Sequence, residues 1–210
     1  MKRSVYFFAC PAFADWEPPL AVSMISDTNE FPKKRSYRVI TFGLSKDPVS
    51  SLGGITVLPD VDVDGVDLAD AAMVILPGSS FYENHDPVEL FPLIRECVRH
   101  KIPVAAICGG TLFLARHGFL DDVRHTSCGP EWLKEHAPDY RGEVHYVHAP
   151  GVADGGIITA NPFGFVEFAA EIIRALDVFP PEYLEFWVRT IKTGYLNVDS
   201  VDPTAGKMNE

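Results

Sequence analysis

The chain has 210 residues, of which 47% are hydrophobic and 22% are charged, and its formal net charge at pH 7 is −11. This length and composition suit one globular α/β domain with a sizeable core. The acidic balance argues against nucleic acids and anionic membrane surfaces as partners, because both attract basic protein faces.

Apolar runs and helix signals alternate along the chain and predict strands and helices in turn. The predicted strands are Arg3–Cys10, Arg38–Gly43, a small hairpin around Val49–Leu58, Ala72–Leu76, Val104–Ile107, Glu143–His148 and Gly156–Thr159. The predicted helices are Glu17–Ser26, Pro87–His100, Gly109–His117, Glu131–His136, Phe163–Leu176 and Pro181–Thr193. The acidic stretch Asp60–Asp70 is expected to be irregular, with a short helical turn. We therefore expect an α/β fold with a mostly parallel sheet and helices on both faces, in a single domain over residues 1–197, followed by a polar tail over 198–210.

The main chemical signal lies in the segment Val104–Ala115, where a short apolar strand ends at Cys108. Two glycines, Gly109 and Gly110, follow it and lead into a helix, which is the pattern of a nucleophile elbow with sulfur in place of a hydroxyl. The N–H groups at the start of that helix favour the thiolate, the reactive form of cysteine. Because free cysteines are often buried structural residues, the alternative is a cysteine of the core.

Three candidate groups follow three different predicted strands. Glu17 comes after the first strand, Gly78 and Ser79 end the strand that precedes them, and Cys108 ends the elbow strand. In open α/β sheets, sites lie at the carboxyl ends of the strands, so these groups are expected at one edge. The alternatives are a carboxylate that only stabilises a helix N-terminus and an ordinary turn.

These positions resemble the DJ-1/PfpI (ThiJ/PfpI) family of the class I glutamine amidotransferase-like superfamily. The matching motifs are Ala105–Thr111, Leu76–Ser79, Phe13–Glu17 and Asn161–Ala169, within a resemblance that covers roughly residues 3–177. The resemblance implies a flavodoxin-like three-layer sandwich that is usually dimeric. It also implies a reactive Cys108, a Glu17 hydrogen-bonded to it, and an oxyanion hole at the backbone N–H groups of Gly109 and Ser79, beside Gly78.

One segment departs from the family pattern. Many members carry a histidine in a Thr-Thr-His sequence beyond the elbow helix, whereas this chain has His125-Thr126-Ser127-Cys128. If Thr126 and Ser127 match the two threonines, Cys128 takes the histidine position, and His125 lies three residues too early. A shifted loop would instead make His125 the base. Without a histidine, a Cys–His hydrolase is less favoured, and a second sulfur would permit a disulfide or a resolving thiol.

We expect a cysteine-dependent small-molecule hydrolase, hydratase or amidotransferase-like enzyme that acts on a carbonyl or nitrile-type electrophile. The alternatives are a glyoxalase or deglycase-type activity on aldehydes, a non-catalytic redox sensor or stress protein that uses oxidation of Cys108, and a binding domain without turnover. The pocket walls are expected from Ser80–Asp86 and Gly129–Tyr140.

Neither a cofactor nor a metal is expected, since the chain has no GxGxxG or Walker A sequence and no CxxC spacing. The four cysteines are expected to be free thiols of a cytoplasmic protein, and no apolar run reaches membrane-spanning length.

The expected partners are a small-molecule substrate or oxidant and a second copy of the chain, with Trp16, Phe81 and Trp187 as exposed aromatic residues. Trp132 is expected in the core or an interface, as are Trp187, Phe165 and Phe168.

Overall fold

The computed structural model describes residues 3–28 and 33–195, and the strands within these ranges form a seven-stranded sheet and a separate two-stranded hairpin. The strands are β1 (Ser4–Phe8), β2 (Arg38–Gly43), β3 (Val49–Ser50), β4 (Thr56–Val57), β5 (Val61–Asp62), β6 (Ala71–Leu76), β7 (Val104–Ile107), β8 (Gly151–Asp154) and β9 (Ile157–Ala160). The order across the main sheet is β5-β2-β1-β6-β7-β9-β8. Its pairs are parallel except for β8 and β9, which are antiparallel at one edge.

Helices cover both faces of this sheet, which confirms the predicted flavodoxin-like three-layer sandwich. The helices are α1 (Pro18–Ile25), α2 (Phe81–Asn84), α3 (Leu90–Arg99), α4 (Gly110–Arg116), α5 (Pro130–His136), α6 (Phe165–Ala175) and α7 (Pro181–Thr193), with 3-10 turns at Val63–Gly65 and Glu143–His145. Helix α6 packs against α1 and α7, whereas α4 packs against α2 and α5. All residues of β1, β6 and β7 are buried, as expected for parallel strands with both faces covered.

The predicted strand Glu143–His148 is wrong. This segment forms a 3-10 turn, with Val144 86% exposed, and only Tyr146 makes an isolated bridge, to His125. The edge of the sheet is formed instead by β8, for which no strand was predicted. Gly155 and Gly156 both have positive φ, +56° and +83°, and they allow the two-residue reversal that returns the chain into β9.

Most other element boundaries lie within two residues of their predicted positions, but helix α3 begins at Leu90 rather than Pro87, and α2 was not predicted. The acidic stretch contains β5 and the Val63–Gly65 turn. Among the three aromatic residues expected to be exposed, Trp16 is 51% exposed, Phe81 is half-buried and Trp187 is buried. The predicted tail over 198–210 lies outside the described residues. No helix in the described part of the chain is long and apolar enough to cross a membrane.

Candidate active site

Cys108 lies directly after β7, at the carboxyl edge of the sheet, in a strained backbone conformation. Its φ is +52°, in the left-handed region that residues other than glycine seldom adopt. Its N–H donates to the carbonyl oxygen of Ala160 at 3.0 Å, and its own carbonyl accepts from the hydroxyl of Thr111 at 2.6 Å. These bonds hold the turn in place, and the sulfur is left half-buried. The local geometry is therefore that of the predicted elbow.

Glycines let the elbow approach the turn after β6. A Cβ on Gly109 would lie 2.3 Å from the Ser79 carbonyl oxygen and 3.0 Å from its nitrogen. A Cβ on Gly78 would lie 2.2 Å from Oε2 of Glu17 and 2.6 Å from Cβ of Cys108. Neither position has room for a larger residue, so the two glycines bring the carboxyl, the sulfur and two backbone segments together.

Glu17 is 1% exposed and accepts a hydrogen bond at 2.8 Å from the N–H of Gly78. Burial, with the negative charge of Cys108 as the second cause, raises the pKa of Glu17 to about 8. The carboxyl is therefore mostly protonated at neutral pH. A protonated carboxyl beside a sulfur can donate a hydrogen bond to the thiolate, and such charge-assisted bonds are stronger than neutral ones.

Cys128 is the second sulfur of the site, with its Sγ 3.8 Å from Sγ of Cys108. The hydrogen bond with Cys108 lowers the pKa of Cys128, and the same bond, followed by burial, raises the pKa of Cys108. The two thiols titrate as one coupled pair, in which the first proton leaves more easily and the second less easily than from an isolated cysteine. A 2.6 Å hydrogen bond between the hydroxyls of Thr111 and Ser127 ties this segment to α4.

The structure does not bring His125 into the site. The side chain is buried, with Nδ1 2.7 Å from the carbonyl oxygen of Val123 and Nε2 hydrogen-bonded to the hydroxyl of Tyr140. Burial lowers the pKa of His125, so the neutral imidazole is favoured. Both ring nitrogens are therefore hydrogen-bonded to groups outside the cavity, and the ring does not line the cavity beside Cys108.

A cavity of about 230 Å³ opens beside the sulfur. Besides Glu17, Gly78, Ser79, Cys108, Gly109 and Cys128, its lining includes apolar and acidic residues that the sequence analysis did not assign to the site: Ala12, Ala14, Trp16, Leu52, Glu83, Trp132 and Pro162. Trp132 is half-buried: it packs against the core and also lines the cavity. The segments around Glu83 and Trp132 were expected as walls, and Ala14, Trp16 and Pro162 lie within the motifs that resemble the family. Among the described residues that line the cavity, none is Lys, Arg or His.

Neither the donors at this cavity nor those elsewhere in the described chain form a metal centre. No group of three or more His, Cys, Asp or Glu side chains that could hold a metal ion occurs within residues 3–28 and 33–195.

Comparisons with known proteins show the family and the fold of this chain. Residues 3–175 match the model of the DJ-1/PfpI family. A Bacillus subtilis relative named uncharacterized protease YoaZ is 32% identical over 194 residues, which cover 91% of each chain. The structure of a thiJ/pfpI family protein from Bacillus anthracis is 30% identical with a TM-score of 0.83, covering 93% of this chain and 92% of that one. That of the DJ-1 superfamily protein Atu0886 from Agrobacterium tumefaciens is 31% identical with a TM-score of 0.81, covering 92% and 99%. The chain belongs to the DJ-1/PfpI family.

Proposed function

We propose that this protein is a cysteine-dependent enzyme that hydrolyses or hydrates a small, uncharged carbonyl or nitrile-type electrophile, with Cys108 as its nucleophile. The observation that carries the proposal is the shared cavity of Cys108 and Glu17. The half-buried sulfur lies beside a carboxyl whose pKa is raised to about 8 by burial and, second, by the charge of Cys108. A sulfur nucleophile and a proton donor thus lie together in one cavity.

The reaction would begin with attack of the Cys108 thiolate on the electrophilic carbon. The N–H groups of Gly109 and Ser79, two residues that line the cavity, would stabilise the oxyanion that develops. Ser79 is held by its hydroxyl, which donates to the carbonyl of Pro11 at 2.6 Å and accepts from the N–H of Phe81 at 3.0 Å. These two bonds orient the Ser79 backbone before substrate arrives.

Glu17 would then act as both acid and base. In its protonated form it gives a proton to the leaving group of an ester or amide, which leaves a thioester on Cys108. The resulting carboxylate takes a proton from water as water attacks the thioester, and the sulfur is released. With a nitrile, the same proton reaches the nitrogen and a thioimidate forms. Water then adds to its carbon, the C–S bond breaks, and the sulfur leaves as the amide forms.

The cavity lining supports a small substrate without negative charge. About 230 Å³ accommodates a small molecule, and the side chains of Trp16, Leu52 and Trp132 offer apolar surface. An anionic substrate would find no cationic side chain in the lining and would meet the carboxylate of Glu83. The protease named among the relatives would need room for a peptide, which favours small molecules for this chain.

A glyoxalase or deglycase-type reaction is the nearest enzymatic alternative. An aldehyde would form a hemithioacetal with Cys108, and Glu17 would move the proton. Glutamine amidotransfer is less favoured, because it would require a second active site that accepts ammonia.

A redox function is the second candidate, and the protonated Glu17 favours it. A carboxyl that donates a hydrogen bond can stabilise the oxygen atoms of an oxidised Cys108 sulfur, which would make the oxidised state a signal rather than damage.

We also propose that the protein is a cytoplasmic homodimer with four free thiols. Exposed apolar side chains at Leu52, Ile55 and Leu58 of the β3–β4 hairpin support a partner surface. Light scattering that gives the single-chain mass of 23.2 kDa at micromolar concentration would contradict the dimer.

The proposed function is tested with a panel of small esters, amides, nitriles and aldehydes, each matched by a carboxylated analogue. Wild type is compared with Cys108→Ser and with Cys97→Ala, which changes a buried thiol of α3 outside the cavity. We expect turnover or a covalent adduct on Cys108 in wild type and Cys97→Ala and neither in Cys108→Ser. If wild type gives neither product nor adduct with any electrophile, the enzymatic proposal fails.

A further inference from the structure

The two cavity thiols are close enough to be joined. Sγ of Cys108 lies 3.8 Å from Sγ of Cys128, whereas the sulfur atoms of a disulfide are about 2.05 Å apart. Rotation of the two side chains can close this difference. The remaining cysteines, Cys10 and Cys97, are buried in other parts of the fold. Both of these side chains are fully buried, so an oxidant in solution reaches them less readily than it reaches the cavity thiols.

We propose that hydroperoxides convert Cys108 and Cys128 into an intramolecular disulfide, which reversibly masks the nucleophile. This inference rests on the proposed function in taking Cys108 as the reactive sulfur. It adds a role for Cys128 as the resolving thiol. Its attack stops the oxidation of Cys108 at a disulfide, which a dithiol can reduce.

The chemistry balances with the groups present and one hydroperoxide. The Cys108 thiolate attacks the terminal peroxide oxygen, the O–O bond breaks, and the leaving alkoxide takes a proton from Glu17 to become an alcohol. Cys108 is then a sulfenic acid. The Cys128 thiol loses its proton and attacks that sulfur, the S–O bond breaks, and the departing hydroxide takes the proton that Cys128 released and leaves as water. Two thiols have supplied the two electrons that reduce the peroxide.

The geometry favours reaction of the Cys108 sulfenic acid with the Cys128 thiol over its reaction with a second peroxide molecule. The Thr111–Ser127 hydrogen bond keeps the segment that carries Cys128 against the elbow helix, while the Cys128 side chain itself is exposed. A tethered group reacts at an effective concentration of about millimolar or higher, whereas a second hydroperoxide must arrive from solution. At micromolar peroxide, disulfide formation should therefore outrun further oxidation of the sulfenic acid to sulfinic acid.

The test treats reduced wild type, Cys128→Ser, and the matched control Cys97→Ala with one equivalent and then an excess of hydrogen peroxide at neutral pH. Intact mass and peptide maps identify the product, and the rate of Cys108 alkylation is measured before and after dithiothreitol. We expect wild type and Cys97→Ala to lose two hydrogens, to link Cys108 to Cys128, and to regain their alkylation rate with dithiothreitol. Cys128→Ser should gain oxygen atoms on Cys108 and recover less than half of its rate.

Oxygen atoms on Cys108 of wild type without a disulfide would overturn the inference, and so would a disulfide that includes Cys10 or Cys97. Turnover of the substrate panel by the reduced protein is measured in parallel. Turnover without a disulfide defeats this inference alone, whereas a Cys108–Cys128 disulfide without turnover supports it and defeats the enzymatic proposal.

Discussion

Replacing Glu17 with Gln should stabilise the protein, by an amount that grows with pH. Burial, then the charge of Cys108, raises the Glu17 pKa from 4.5 to about 8 on folding. Below pH 4.5 the carboxyl is protonated in both states and has no pH-dependent effect. Between the two pKa values the unfolded chain loses a proton that the folded chain keeps, so stability falls as pH rises, and above pH 8 the loss is complete.

The size of this loss of stability follows from the difference between the Glu17 pKa values in the unfolded and folded states. Each pH unit between these two values lowers the free energy of unfolding by about 1.4 kcal/mol. The step from 4.5 to about 8 gives at most about 5 kcal/mol, of which about 3 kcal/mol is lost by pH 7. Gln has nearly the same shape, its amide oxygen can accept from the N–H of Gly78, and it does not titrate.

Urea unfolding at pH 5, 6, 7 and 8 measures this difference, with the free energies extrapolated to zero urea. The matched control is Glu83→Gln, which removes an exposed carboxylate at the same cavity. We expect the Glu83→Gln profile to run parallel to wild type and the Glu17→Gln profile to rise away from it with pH. Parallel profiles for all three proteins would show that Glu17 is not protonated in the folded state.

Four further outcomes are expected. Substoichiometric iodoacetamide at neutral pH should label Cys108 before buried Cys97 in peptide maps; the reverse order would refute an activated elbow thiol. Iodoacetamide, which is neutral, should alkylate Cys108 faster than the anion iodoacetate. Glu83→Gln should lower the ratio of these two alkylation rates severalfold, because it removes a carboxylate that repels the anion; an unchanged ratio would show that Glu83 does not repel anions from the cavity. His125→Ala should lose about 2–4 kcal/mol of stability in urea unfolding. Its Cys108 alkylation rate should stay within about twofold, and a tenfold loss, about 1.4 kcal/mol, would make His125 the base. Cys128→His should raise kcat/KM for small amides or esters, because imidazole titrates near neutrality; no gain would argue against this position as that of the base.

The elbow could be predicted because its signal is local. The apolar strand, Cys108 and the two glycines are adjacent in sequence, and the steric needs of the turn explain each of them. Glu17 could be placed near the same edge because parallel strands end together. That Cys128 lies near Cys108 was implied by a family position rather than by any local pattern.

The cavity walls could not be predicted, since they depend on contacts between distant loops. The carboxylate of Asp15 accepts hydrogen bonds from the hydroxyl of Ser51 and from the N–H of Gly53, the latter at 2.7 Å. The N–H of Leu52 also donates to the carbonyl of Phe13 at 2.9 Å. These bonds fold the β3–β4 hairpin onto the loop after β1, which places Leu52 at the cavity. Nothing in the periodicity of either segment encodes that pairing.

The left-handed backbone of Cys108 means that substitutions at this position can stabilise the fold while they remove the sulfur. A non-glycine residue at φ +52° carries a conformational penalty of roughly 1 kcal/mol or more. Glycine or asparagine would relieve much of that penalty, so the fold itself favours replacing the sulfur. A mutant library sorted only for heat resistance should therefore lose cysteine at this position while the sheet around it persists, and thermostability screens of this protein need a reactivity screen beside them.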